Sequence, residues 1–116
     1  MLSKEDVDRF RQRLERDRAE IQSRIAARSR EIEATVPRED DIGDEGDEAK
    51  VATDLEPALA ETDLDQDTLA RIDRALQRIE DGTYWISEVS GKPIPIDRLE
   101  AVPYATTLVV EQPPEP

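Results

Sequence analysis

The stretch KEDVDRFRQRLERDRAEIQSRIAARSREIEA, residues 4–34, contains neither proline nor glycine. Along it Val7, Phe10, Leu14, Ile21, Ile25 and Ile32 recur at spacings of 3, 4, 7, 4 and 7, with Arg18 and Arg28 where the seam is interrupted. That is a heptad pattern, and it predicts one long helix of about thirty residues, roughly 45 Å at 1.5 Å per residue. Ser3 is placed to cap its start, and Glu5, Asp6 and Asp8 suit the positive end of the helix dipole. Glu5 with Arg9 and Glu20 with Arg24 stand four apart in the favourable order.

Pro37 ends this helix. Arg38 to Ala49 then carry seven carboxylates and two glycines, a composition that buries little and reads as a turn. Apolar periodicity resumes at Val51, Leu55 and Leu59, weakens through Thr62 and Asp65, and returns at Leu69, Ile72, Leu76 and Ile79. Gly82 is placed to cap the end, and Pro57 is expected to kink the segment or mark a restart. Each amphipathic segment has one apolar stripe and is marginal alone, so pairing the two is the cheapest burial. The expected fold is mostly α, a long antiparallel helical hairpin over residues 1–82 with an acidic tip near 37–49.

Residues 83–112 change character and are expected to form a small module at the hairpin's base. Tyr84-Trp85-Ile86 and Ile94-Pro95-Ile96 read as short extended pieces about Ser90-Gly91-Lys92-Pro93, and Thr106 to Val110 is β-prone. Residues 113–116 read as a disordered tail.

Composition narrows the function. Apolar residues make up 36% and charged residues 39% of the 116, which excludes a large core. Cysteine and histidine are absent, which removes thiol nucleophiles, imidazole bases and the usual zinc ligands; no metal and no cofactor is expected, and an enzyme is not. The net charge of -13 argues against direct nucleic-acid binding. It is unevenly spread: residues 1–33 hold nine basic and eight acidic side chains, and all the excess acid follows. No stretch approaches a membrane span or a secretory leader, so the expected location is the cytoplasm.

The base resembles the signature region of the DksA/TraR family of bacterial transcription regulators, through Ile72-Asp73-Arg74-Ala75-Leu76, Ile79 to Tyr84, Gly91-Lys92-Pro93-Ile94, Arg98 to Pro103 and Ala105-Thr106. The tip adds a shorter likeness, since Asp44-Glu45-Gly46-Asp47-Glu48-Ala49 matches the family's Asp-x-x-Asp-x-Ala at Asp44, Asp47 and Ala49. The resemblance implies a regulator that binds RNA polymerase and inserts the tip into its secondary channel to modulate initiation, with the nucleotide alarmone of the stringent response as an effector at the complex. A thin rod of carboxylates can enter a channel closed to a globular domain and act on the cations there.

The resemblance also implies a zinc finger held by two Cys-x2-Cys pairs. Those four positions fall here on Ser87, Ser90, Leu108 and Glu111, so the module is expected to be a zinc-finger-like fold lacking zinc. Trp85, Ile86, Ile94, Ile96, Leu99, Tyr104, Leu108 and Val109 are expected to fill the ion's place as an apolar plug, offsetting about 10 kcal/mol of lost metal binding. Arg11, Arg18, Arg74, Arg78 and Arg98 become candidate polymerase contacts. The competing reading is a coiled-coil adaptor or dimeric scaffold that has lost polymerase, with Val7, Phe10, Leu14 and Ile21 meeting another chain. The regulator is expected to be a monomer.

Overall fold

Two long helices, α1 (Lys4–Thr35) and α2 (Glu45–Asp81), and a short α3 (Ile96–Ala101) make up the regular structure. The computed structural model describes residues 2–35 and 45–111, with the side chains of 45–54 outside that description. Helix α1 begins as its cap predicts: the Asp6 N–H donates to Ser3 Oγ at 3.0 Å and the Val7 N–H to the Ser3 carbonyl at 3.0 Å. With 32 residues it is about 48 Å long.

The helices run antiparallel, as the cross-pairs show. Phe10 meets Tyr84, Arg18 pairs with Asp73, and Arg28 with Asp65, so each step outward on α1 is matched by a step back along α2. Phe10, Leu14 and Ile21 of α1 are buried, and on α2 the inward stripe is Ala58, Thr62, Asp65, Leu69, Ile72, Ala75, Leu76 and Ile79. Leu59 is off that stripe and 52% exposed, one position from the Ala58 that faces α1. Pro57 neither breaks nor restarts α2, which is assigned as one helix through it. The proline is exposed, and a carbonyl freed on the solvent side of a helix can turn to water.

Two same-helix ion pairs expected from spacing are replaced. Arg9 bonds to Glu100 at 3.0 Å and lies 3.6 Å from Asp6, and Arg24 reaches across to Asp65 instead of along the helix to Glu20. Both long side chains find carboxylates on another element that also need partners.

Gly82 ends α2 at φ +76°, with its N–H on the Ile79 carbonyl at 3.2 Å and the Thr83 N–H on the Arg78 carbonyl at 2.9 Å, the two bonds of a Schellman cap. The chain then packs against the hairpin's base. Tyr84 is 1% exposed, its ring centroid 5.7 Å from that of Phe10, and its hydroxyl donates to the Pro103 carbonyl at 2.6 Å. Burial pushes that hydroxyl's pKa up. Ile79, Ile94, Leu99 and Ala105 complete the basal core.

The two extended pieces meet only at an isolated bridge, Ile86 opposite Pro93, flanked by Ile94 N–H to the Trp85 carbonyl and Ser87 N–H to the Lys92 carbonyl, each 2.8 Å. The described residues include no β-sheet. Thr106 to Val110 forms no strand, because only the Glu88 N–H finds the Thr106 carbonyl before the chain turns at Leu108 to Glu111. Ile96, expected to be extended, instead starts α3 after Pro95, whose carbonyl accepts the Arg98 and Leu99 N–H groups.

Candidate functional site

Of the three predicted tip residues, Asp44 lies outside the described residues. Asp47 and Ala49 belong by backbone to the first turns of α2, and their side chains lie outside the description.

The five candidate arginines divide by what already holds them. Arg11 and Arg18 stand on α1 beside a shallow groove shared with Glu15, Asp73, Leu76, Gln77 and Glu80. Each has one carboxylate partner, Asp8 at 2.8 Å and Asp73 at 3.0 Å, and each keeps a third or more of its side chain exposed. Arg74 pairs with Glu88 and is 60% exposed. Arg78 is largely buried: it donates to the carbonyls of Thr83 and Ile86 and lies 3.4 Å from Glu88. Arg98 donates from Nε to the Thr107 carbonyl at 2.8 Å. Arg78 and Arg98 thus tie the base together.

The structure brings Ser87, Leu108 and Glu111 into direct contact, with Ser90 on the same turn. Ser87, 3% exposed, donates its hydroxyl to Glu111 Oε1 at 2.6 Å and accepts the N–H groups of Val89 at 3.1 Å and Ser90 at 3.3 Å. The Leu108 N–H reaches the same Glu111 oxygen at 2.8 Å. Hydrogen bonds from Ser87, Ser90 and the Leu108 N–H hold the Glu111 carboxyl below the usual carboxylate range. A zinc ion does not fit this donor set, for Leu108 offers no side-chain ligand, thiolates and imidazoles are absent, and the Ser87 hydroxyl and Glu111 carboxylate already satisfy one another.

A polar knot therefore stands where an apolar plug was expected. Ile94 and Leu99 are buried, and Trp85, Ile86, Tyr104 and Leu108 are half-buried, but Ile96 is 39% and Val109 75% exposed. Val109 points away because the 108–111 turn is set by main-chain and carboxylate bonds, and Ile96 stands at the exposed start of α3.

A cluster missed by sequence reasoning lies midway along the rod. Asp65 takes Arg24 in a two-pronged bond, Nη2 to Oδ1 at 2.6 Å and Nε to Oδ2 at 3.1 Å, and Arg28 Nη2 at 3.0 Å. Arg28 also donates to Thr62 Oγ1 at 3.0 Å and lies 3.5 Å from Glu61. The two arginines draw the Asp65 carboxyl down to about 2. Its signal was available: Arg28 and Asp65 interrupt the two apolar stripes with opposite charges. Arg9 and Arg13, which hold Glu100 through its carboxylate and its carbonyl, left no such signal.

No protein-family model matches the chain. It is 41% identical over 66 residues to general stress protein 16O of Bacillus subtilis, covering 57% of this chain and 40% of that protein. It is 38% identical over 89 residues to the RNA polymerase-binding transcription factor DksA of Caulobacter vibrioides, covering 76% of this chain and 63% of that one. The chain thus spans between 40% and 63% of the length of these curated relatives. Among solved structures it is similar to transcription factor DksA2 from Pseudomonas aeruginosa, with a TM-score of 0.79 at 30% identity over 92% of this chain and 80% of that one.

Proposed function

We propose that this chain, which belongs to the DksA/TraR family, is a non-enzymatic transcription regulator that binds RNA polymerase and reaches into its secondary channel with the acidic end of the hairpin. The observation that carries this reading is the shape: principal extents of 62 × 26 × 21 Å, with α1 and α2 side by side and seven carboxylates where the chain passes from one to the other, four between the helices in sequence and three in the first turns of α2. Such a rod presents concentrated negative charge far from its base, which suits action on cations held in a narrow channel.

Asp44 and Asp47 are the residues assigned to that action, with Ala49 completing the motif. Arg11 and Arg18 are the first candidates for the channel rim, both lining one groove along the rod with part of each side chain exposed, and Arg74 follows. Arg78 and Arg98 act through the base they hold. In this reading residues 83–112 are a zinc-finger-like module whose metal has been replaced by the Ser87–Glu111 knot, and the tail at 113–116 lies outside the described residues. The alarmone enters as a ligand of the polymerase complex. No described helix is long and apolar enough to cross a membrane, in keeping with a cytoplasmic partner.

The dimeric scaffold finds less support, because Phe10, Leu14 and Ile21, which it would offer to another chain, are buried within this one. A monomer follows. The test is co-migration with core RNA polymerase, comparing the wild type with Asp44→Asn/Asp47→Asn and running multi-round transcription alongside. Binding by both forms with a transcription effect only from the wild type is the expected result. A wild type that does not bind at micromolar concentration overturns the proposal.

A further inference from the structure

We propose that Arg24, Arg28 and Asp65 are positioning residues, a charged clasp that keeps the outer arm of the hairpin closed so that the tip is carried on one rod. The clasp itself is inferred from contacts within this chain; its consequence for transcription rests on the polymerase reading above.

The argument begins with where apolar burial stops. From the base outward, α1 buries Phe10, Leu14 and Ile21, and α2 buries Ile79, Ala75 and Ile72. Beyond Ile21 and Asp65 no described residue is buried: Ile25, Ile32, Leu55 and Ala58 are only half-buried, and Leu59 and Leu64, 52% and 69% exposed, face solvent. Two isolated helical arms with so little shared apolar surface are marginal partners. At that boundary three charged side chains converge, and every bond of the cluster crosses from one helix to the other.

The positions explain why charge serves here. Arg28 and Asp65 side chains are 11% and 12% exposed, so neither can turn freely to water while the arms stay packed. On α2, residues 58, 65, 72 and 79 stand one heptad apart, and a slip of the outer arm by a heptad would still set apolar residues against apolar ones. It would also set Asp65 against the Ile21 side of α1 and strip Arg28 of its anion, leaving charges partly buried and unpaired. An inserted charge pair is a poor source of stability compared with apolar packing but a strong selector of one alignment. Thr62, bonded to Arg28 at 3.0 Å, adds a second constraint on the same register.

The chain has no cysteine, so introduced pairs report cleanly. Spin labels at Ser29→Cys and Glu56→Cys read the outer arm, and labels at Gln12→Cys and Gln77→Cys read the base; all four native residues are exposed. Pulsed-dipolar distances in the full chain are expected to be narrow for both pairs. With Asp65→Ala the outer distribution roughly doubles in width while the basal one is unchanged, as for a local opening. Asp65→Glu, which keeps the anion, keeps the outer distance narrow. An unchanged outer distance in Asp65→Ala overturns the proposal. So does equal broadening of both pairs, which marks a support of the whole fold, and so does a glutamate variant as broad as the alanine one. With polymerase, Asp65→Ala is expected to bind like the wild type and to lose most of the transcription effect. A wild type that does not bind polymerase rejects the functional reading, and the distances in the free protein still decide the clasp.

Discussion

Ser87 hydroxyl serves three partners at once, donating to Glu111 and accepting from two backbone N–H groups, and at 3% exposure it has no water to replace them. Ser87→Ala leaves the Val89 and Ser90 N–H groups and a glutamate oxygen short of a partner, a loss of about 1–3 kcal/mol in folding free energy. Urea unfolding followed by Trp85 emission measures it, and a variant as stable as the wild type would show the knot to be ornamental. The four knot positions were legible in the sequence because the flanking residues align, but their new chemistry was not. Side-chain identity told which donors had been lost; it did not tell that two turns, 87–91 and 108–111, would aim their N–H groups at shared oxygens. The tip residues are the reverse case, read from a six-residue pattern, with Asp44 and the side chains of Asp47 and Ala49 lying beyond what the structure describes.

At the scale of elements, both long helices were legible from their periodicity, and the errors are those of a one-residue rotation or a local rule. Leu59 was read into the α2 stripe where Ala58 stands, since a leucine outweighs an alanine in any apolar pattern. Pro57 was given more force than an exposed position allows, and α3 was hidden behind Pro95, which initiates a helix as readily as it ends an extended piece. The α1–α2 pairing carries a pH signature through Asp65. Its carboxyl sits at about 2 in the fold, because of Arg24 first and Arg28 second, against about 3.9 for an unfolded aspartate. A depressed value means the stabilisation is complete above the unfolded value and is lost as pH falls toward the folded one. Melting temperature is therefore expected to drop between about pH 4 and pH 2, and Asp65→Asn is expected to flatten part of that drop while lowering stability at neutral pH. Asp6 and Glu111 are depressed in the same sense, so some slope persists in the variant. Equal slopes for the two proteins would remove Asp65 from the account. At the other end of α2, Gly82 holds φ +76° with open space around its missing Cβ, so Gly82→Ala suffers only the backbone penalty, about 1 kcal/mol. Thermal melts resolve that difference, and an unchanged melting temperature would mean the cap tolerates a side chain.

Over the whole molecule, stability is gathered at one end and charge at the other. Phe10, Leu14, Ile72, Ile79, Tyr84 and Leu99 lie in one basal cluster, and the last four stand more than sixty residues from α1's start. The arms extend from it with few buried side chains and increasing negative charge, so the cost of opening must fall from base to tip. Hydrogen exchange in the intact chain is expected to show this gradient, slowest in residues 10–21 and 69–81 and faster through 25–35 and 55–64. Phe10 joins α1 to the segment after α2: its ring meets Tyr84, and the Arg9 guanidinium lies 4.7 Å from its centroid. Phe10→Ala empties a fully buried aromatic site at a cost of about 3–5 kcal/mol, which is a large fraction of the stability of a chain with so small a core. The variant is expected to lose exchange protection at base and arms together, because arms that are marginal alone depend on the base to hold them in register. Protection that survives in the arms while the base exchanges freely would mean the hairpin folds on its own pairing, and the clasp at Asp65 would then be the first place to look for the cause.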